Sequence, residues 1–170
     1  MTYKYSNEQI TSKYIKESQS YTTNETHTYT LSNGLIVKDI EVQNNMETTT
    51  IYSYNGNGYL TSLSQWGDVI ASSTKDFVWT NGNLTSMDGR EFKYSNTPWN
   101  KGMFFNFKGS NMDGYLWSGG YWGNTPKYMP SQDVYKNWTY NYETSNGLVT
   151  RITMTVNKTG EKVISSIVWE

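Results

Sequence analysis

The chain has no cysteine, a single alanine (Ala71), a single histidine (His27) and three prolines in 170 residues. Each scarcity excludes something. Without cysteine there are no disulfides, no thiolate metal sites and no cysteine nucleophile. A Ser-His-Asp triad or a zinc site would have to be built on His27 alone. One alanine among many Thr, Tyr and Asn residues gives helices little support. Charge is nearly balanced, with 14 Lys and Arg against 15 Asp and Glu. No basic stripe can neutralise a phosphate backbone, so nucleic acid is not an expected partner. No run nears the ~20 apolar residues of a membrane helix. HExxH, nucleophile-elbow and P-loop patterns are missing too, and no cofactor is implied.

What the chain does have is large rings. Hydrophobic residues make up only 35%, but aromatics are 16%, with 15 Tyr and 7 Trp. Few but bulky apolar side chains suit a pleated sheet. The length suits one domain with a real core. A short unit recurs: Thr28-Tyr29-Thr30-Leu31-Ser32-Asn33-Gly34-Leu35, then Tyr52 to Leu63, Phe77 to Met87 and Asn141 to Ile152. Its turn glycines Gly34, Gly58 and Gly82 lie 24 residues apart, room for two strands and two turns. Asn33-Gly34, Asn55-Gly56, Asn81-Gly82 and Asn146-Gly147 each offer the two positive-φ positions of a type I′ hairpin turn. Strands alternate on either side. Trp138, Tyr140 and Tyr142 share one face, and Leu148, Thr150, Ile152, Met154 and Val156 share another.

Further turns are expected at Gln43-Asn44-Asn45, Trp66-Gly67-Asp68, Lys75-Asp76, Asp88-Gly89-Arg90 and Thr159-Gly160. The last strand, Val163 to Trp169, is apolar on both faces at its ends, which predicts a central or doubly covered position, or closure of the sheet. Residues 1–16 read as a polar extension or an edge strand, and 17–170 as a single β-meander domain. The polar start, Met1-Thr2-Tyr3-Lys4, leaves open whether a signal peptide stood upstream. Residues 96–132 break the rhythm with all three prolines and many glycines and rings. Short strands are expected there at Met103–Phe107 and Tyr115–Trp117, followed by an ordered loop.

The Tyr-x-Tyr hairpin with its Gly-Leu turn, and above all Tyr115-Leu116-Trp117-Ser118-Gly119-Gly120-Tyr121-Trp122-Gly123-Asn124-Thr125-Pro126-Lys127-Tyr128-Met129-Pro130, resembles an uncharacterised family of secreted Bacteroidetes proteins with a porin-like fold. The resemblance spans about Thr28 to Trp169. It implies a curved antiparallel meander and export, commonly as a periplasmic or surface lipoprotein. It carries no catalytic residues. A porin-like shape need not be a porin, because membrane barrels need strands of ~9–11 residues with a continuous apolar band. The strands here read as shorter and rich in Thr, Ser and Asn.

The expected fold is therefore all-β. It is an up-and-down meander of about ten to twelve strands, strongly curved into an open or partly closed barrel, soluble and monomeric. His27 reads as a surface strand histidine. Asp39 with Glu41, and Asp88 with Glu91, read as solvated-face and turn acids. A hydrolase would need one such pair in a cleft, for instance Asp88 or Asp113 with Glu91. A calcium site at Asp88-Gly89 or around Asn111 to Gly114 lacks EF-hand spacing. The four Asn-x-Thr sequons, at Asn24, Asn83, Asn137 and Asn157, are expected by chance in so Asn- and Thr-rich a chain. The strongest binding candidates are the rings Trp99, Tyr115, Trp117, Tyr121, Trp122 and Tyr128, which could stack on a sugar or meet an envelope protein. The competing reading is that this segment plugs the end of the sheet with its rings. Three functions follow: a glycan- or protein-binding envelope domain, a purely structural lipoprotein domain, or a carboxylate hydrolase.

Overall fold

The computed structural model describes residues 2–17, 22–100, 116, 119–133 and 135–169. The strands expected at Met103–Phe107 and Tyr115–Trp117 lie outside them. Two compact units are present, residues 1–76 with 121–123, and residues 77–120 with 124–170.

The first unit is an antiparallel meander in chain order: β1 (Thr2–Tyr5), β2 (Gln9–Glu17), β3 (Thr22–Ser32), β4 (Leu35–Gln43), β5 (Met46–Tyr54), β6 (Leu60–Gly67) and the first half of β7 (Ser73–Thr80). The second unit takes the rest of β7 with β8 (Asn83–Met87) and β9 (Arg90–Glu91). It adds a sheet of β10 (Lys93–Pro98), β11 (Tyr128–Gln132), β12 (Trp138–Ser145), β13 (Leu148–Val156) and β14 (Lys162–Ser166), again in chain order. The architecture is all-β and antiparallel, and neither sheet closes into a barrel among the described residues. Among the described residues there are fourteen strands, against about ten to twelve expected. The polar N-terminal stretch accounts for two of them.

The hairpin repeat has a sharper rule than its sequence suggests. Asn33-Gly34, Asn81-Gly82 and Asn146-Gly147 have positive φ at both positions, the type I′ geometry. Asn55-Gly56 does not, and the turn is longer. Gly58 takes the left-handed position, and the Asn55 Oδ1 accepts the backbone N–H groups of Asn57 and Tyr59.

In all four copies the residue two after the left-handed glycine is buried: Ile36, Leu60, Leu84 and Val149 are at most 1% exposed. In all four the next residue is a β-bulge that shifts the register, at Val37, Thr61, Thr85 and Thr150. A bulge leaves a ladder carbonyl without its partner. Where the bulge is threonine, its hydroxyl supplies one: Thr61 donates to the Ser53 carbonyl at 3.1 Å, Thr85 to Val78 at 3.1 Å and Thr150 to Glu143 at 3.3 Å. The carbonyls of the buried residues also accept from rings. Tyr54 Oη donates to Ile36, Tyr94 Oη to Leu84 and Trp169 Nε1 to Val149, at 2.7, 2.8 and 2.7 Å.

Two expectations are corrected. Leu148 is 39% exposed while Val149 is buried, because the extra residue at Thr150 moves the core face one position along. The last strand is not central, although Ile167 and Trp169 at its far end pack against Met129 and Val149. Every residue of β14 is exposed, with Val163 at 46% and Ile164 at 58%. It pairs with β13 on one side, and among the described residues nothing pairs with the other.

Candidate functional site

The interrupted segment serves the hairpin ends. In the first unit the Tyr121 carbonyl accepts the Ile36 N–H at 2.8 Å, and Gly123 packs on the Gly58 carbonyl and the Tyr54 ring. Trp122 is 1% exposed and fills the core, edge-on to Tyr29 at 6.0 Å and tilted against Tyr52 at 6.1 Å. In the second unit, the Lys127 N–H donates to the Gly82 carbonyl and the Tyr128 N–H to Asn83 Oδ1. Buried Asn100 accepts the Val149 N–H at 2.6 Å and donates to the Gly147 carbonyl at 3.1 Å.

Of the six candidate rings, Trp122 is core. Trp99 packs against Met129 and Val149 in the core of the second unit. Tyr128 is half-buried beside the Lys127 ammonium, 5.1 Å from its ring centre. Tyr115 and Trp117 lie outside the described residues. Tyr121 is the one that joins other rings near the surface. It stacks on Tyr5 at 6.3 Å, and Tyr5 lies 6.1 Å from Tyr3. Tyr5 is 59% exposed.

Strand register places this row at the edge of the inner face of the first unit, where Ile10, Ser12, Tyr29, Asp39 and Thr50 are buried. Directly paired residues in an antiparallel sheet share a face. Pairing puts Tyr3, Ser12, His27, Glu41 and Thr48 in one line across β1 to β5, and Tyr5, Ile10, Tyr29, Asp39 and Thr50 in the next. Glu25 lies two residues before His27 on the same face, opposite Gln43. One face of the first unit thus carries a tyrosine row at its β1 edge and an acid–histidine cluster two strands in.

His27 is not a surface histidine. Its side chain is 11% exposed and stacks flat on the buried Tyr29 ring, 5.4 Å away and 3° from parallel. Nδ1 donates to Asp39 Oδ2 at 3.0 Å and Nε2 to Glu25 Oε1 at 2.9 Å. Burial alone would lower its pKa. The hydrogen bond and charge of Asp39, the Glu25 bond and the Glu41 charge outweigh that and hold it at about 9. The ring is therefore an imidazolium near neutral pH. Asp39 is 3% exposed, so it is not on a solvated face as expected. Glu41 sits above the usual carboxylate range: burial raises it, His27 opposes, and the Glu25 and Asp39 charges add to the rise. Gln43 Nε2 donates to the second Glu25 oxygen at 3.2 Å.

Among the described residues the other acids assemble no comparable group. Asp88 is the first residue of a type I′ turn with Gly89, and Glu91 is exposed on β9. Asp113 lies outside the described residues.

Among solved structures the chain is similar to a porin-like protein from Bacteroides uniformis, with a TM-score of 0.61 and 19% identity over 97% of this chain and 73% of that one. The likeness establishes a porin-like fold. No family model and no curated protein matches the chain. No helix among the described residues is long and apolar enough to cross a membrane.

Sequence reasoning passed over Tyr3 and Tyr5, which lie in a stretch without hairpin signals, and discounted His27. The usable signal for the cluster was the pair of spacings Glu25-x-His27 and Asp39-x-Glu41 on either side of one Asn-Gly turn.

Proposed function

We propose that this chain is an exported, non-catalytic domain of the bacterial envelope, carried on a lipoprotein, that binds a glycan on the tyrosine-edged face of its first unit. The observation that carries the reading is the row Tyr3, Tyr5 and Tyr121, with ring centres 6.1 and 6.3 Å apart and Tyr5 59% exposed. Rings offer apolar faces to the C–H side of a sugar. Export and envelope location draw support from the sequence resemblance and from the Bacteroides origin of the porin-like neighbour. Affinity electrophoresis against a panel of polysaccharides, followed by calorimetry on any hit, tests it. Tyr5→Ala and Tyr121→Ala should each weaken binding roughly fivefold to tenfold, the worth of one stacked ring. A wild-type chain that no polysaccharide retards would sink the reading, as would variants that bind like wild type.

A protein partner is the second reading, favoured by β14. The outward N–H and C=O groups on its open side, with Val163 and Ile164 exposed, suit an extended strand of another envelope protein added to the edge.

A further inference from the structure

We propose that Glu25, His27 and Glu41 form a binding site for a divalent transition-metal ion of the zinc class, with Asp39 orienting the histidine. The inference rests on the cluster's own geometry and not on the glycan reading.

One ligand atom from each of the three residues lies within 4.8 Å of the others. Tetrahedral zinc with bonds near 2.1 Å needs its ligands about 3.4 Å apart, which small rotamer changes in two glutamates can reach. One imidazole nitrogen with two carboxylate oxygens is a borderline donor set, suited to zinc more than to calcium or magnesium. Beyond the donors, the site has the support that metal-binding histidines have. The Nδ1–H is held by the buried Asp39 carboxylate, which fixes the tautomer and aims Nε2 at the glutamates. The parallel Tyr29 ring fixes the plane. Glu25 is 25% exposed, so a fourth position opens to solvent.

The charges point the same way. Glu25, Asp39 and Glu41 set three carboxylates around one imidazole, and Gln43 adds a neutral amide donor. A dication in place of the Nε2 proton brings the group closer to neutrality. On binding, the Nε2–H bond breaks and the proton leaves to solvent. The Nδ1–H stays on Asp39.

His27 is the chain's sole histidine, so its imidazole nitrogens are a single-residue reporter. The test uses the full chain, stripped with chelator and then titrated with Zn²⁺ alone while ¹⁵N spectra and calorimetry are recorded. One ion per chain should bind, and the His27 Nε2 resonance should move from its protonated to its metal-bound position while Nδ1 stays protonated. His27→Gln should lose the site. Glu41→Gln and Asp39→Asn should each weaken it by ~10–100-fold, the usual effect of a lost ligand or supporting carboxylate. Tyr5→Ala, which removes the proposed glycan platform, should leave Zn²⁺ affinity unchanged. A His27 signal unmoved at millimolar Zn²⁺ overturns the site, and this holds even if a variant fails to fold. So does unchanged Zn²⁺ binding by folded His27→Gln.

Discussion

Leu84 and Leu148 are both leucines just after a hairpin turn of the second unit, and the same substitution should affect them very differently. Leu84 sits two residues past its turn glycine and is 0% exposed, whereas Leu148 sits one past and is 39% exposed. Leu84→Ala removes roughly three methylene equivalents at ~0.8 kcal/mol each. A residual cavity brings the cost to about 3 kcal/mol, inside the measured range for buried leucines. Leu148→Ala loses part of the same transfer energy and leaves no closed cavity, so it should cost less than about 1.5 kcal/mol. Urea unfolding followed by far-UV circular dichroism reads the difference. With a slope near 2 kcal/mol per molar, the Leu84→Ala midpoint should fall by about 1.5 M and the Leu148→Ala midpoint by less than about 0.7 M. Equal shifts would refute the rule that the core position is the second residue after the glycine.

Buried tyrosines make the fold sensitive to alkali. Burial raises Tyr54, Tyr94 and Tyr142 above the ordinary phenol range, and burial with the Asp133 charge raises Tyr140 to about 12. A folded-state value above the unfolded one of about 10 gives stability that is complete below pH 10 and lost as pH climbs toward 12. Tyrosinate absorbance should therefore appear in two stages, the second coinciding with loss of the strand signal in circular dichroism; a single stage near pH 10 with the fold intact would contradict this. Gly123→Ala should cost more than about 2 kcal/mol, because its φ is +81° and a methyl group would strike the Gly58 carbonyl and crowd Tyr54. Gly34→Ala, at φ +76° with open space around it, should cost about 1 kcal/mol. Thermal unfolding of the two variants checks the order, and equal losses would show that Gly123 is not a contact point.

The hairpins were legible because Asn-Gly turns and alternating rings are local signals. Asn33-Gly34, Asn81-Gly82 and Asn146-Gly147 formed as their residue types demand. The bulges were not legible, and they decide the site. Folding β3 on β4 about the Asn33-Gly34 turn without a bulge would set His27 against Ile40 and send Asp39 and Glu41 to the opposite face. The extra residue at Val37 moves the register by one, so His27 faces Glu41. A slip of one residue exchanges the two faces of a strand. The acid–histidine cluster therefore depends on a backbone irregularity that neither composition nor spacing announces. β14 misled for a different reason. Val163 and Ile164 signal burial yet stay exposed, because hydropathy cannot say whether a cover is present.

The assignment of Tyr121–Gly123 to the first unit has a consequence for the order of events during synthesis. Residues 1–76 contain every strand of that unit but not the indole at its centre. A nascent chain that has emerged only as far as β7 holds Tyr29 and Tyr52 around a gap, and the gap closes only when Trp122 arrives from far downstream. Long sequence separation of this kind slows folding and keeps the early part of the chain open. The N-terminal half should thus stay loosely packed until most of the polypeptide is made.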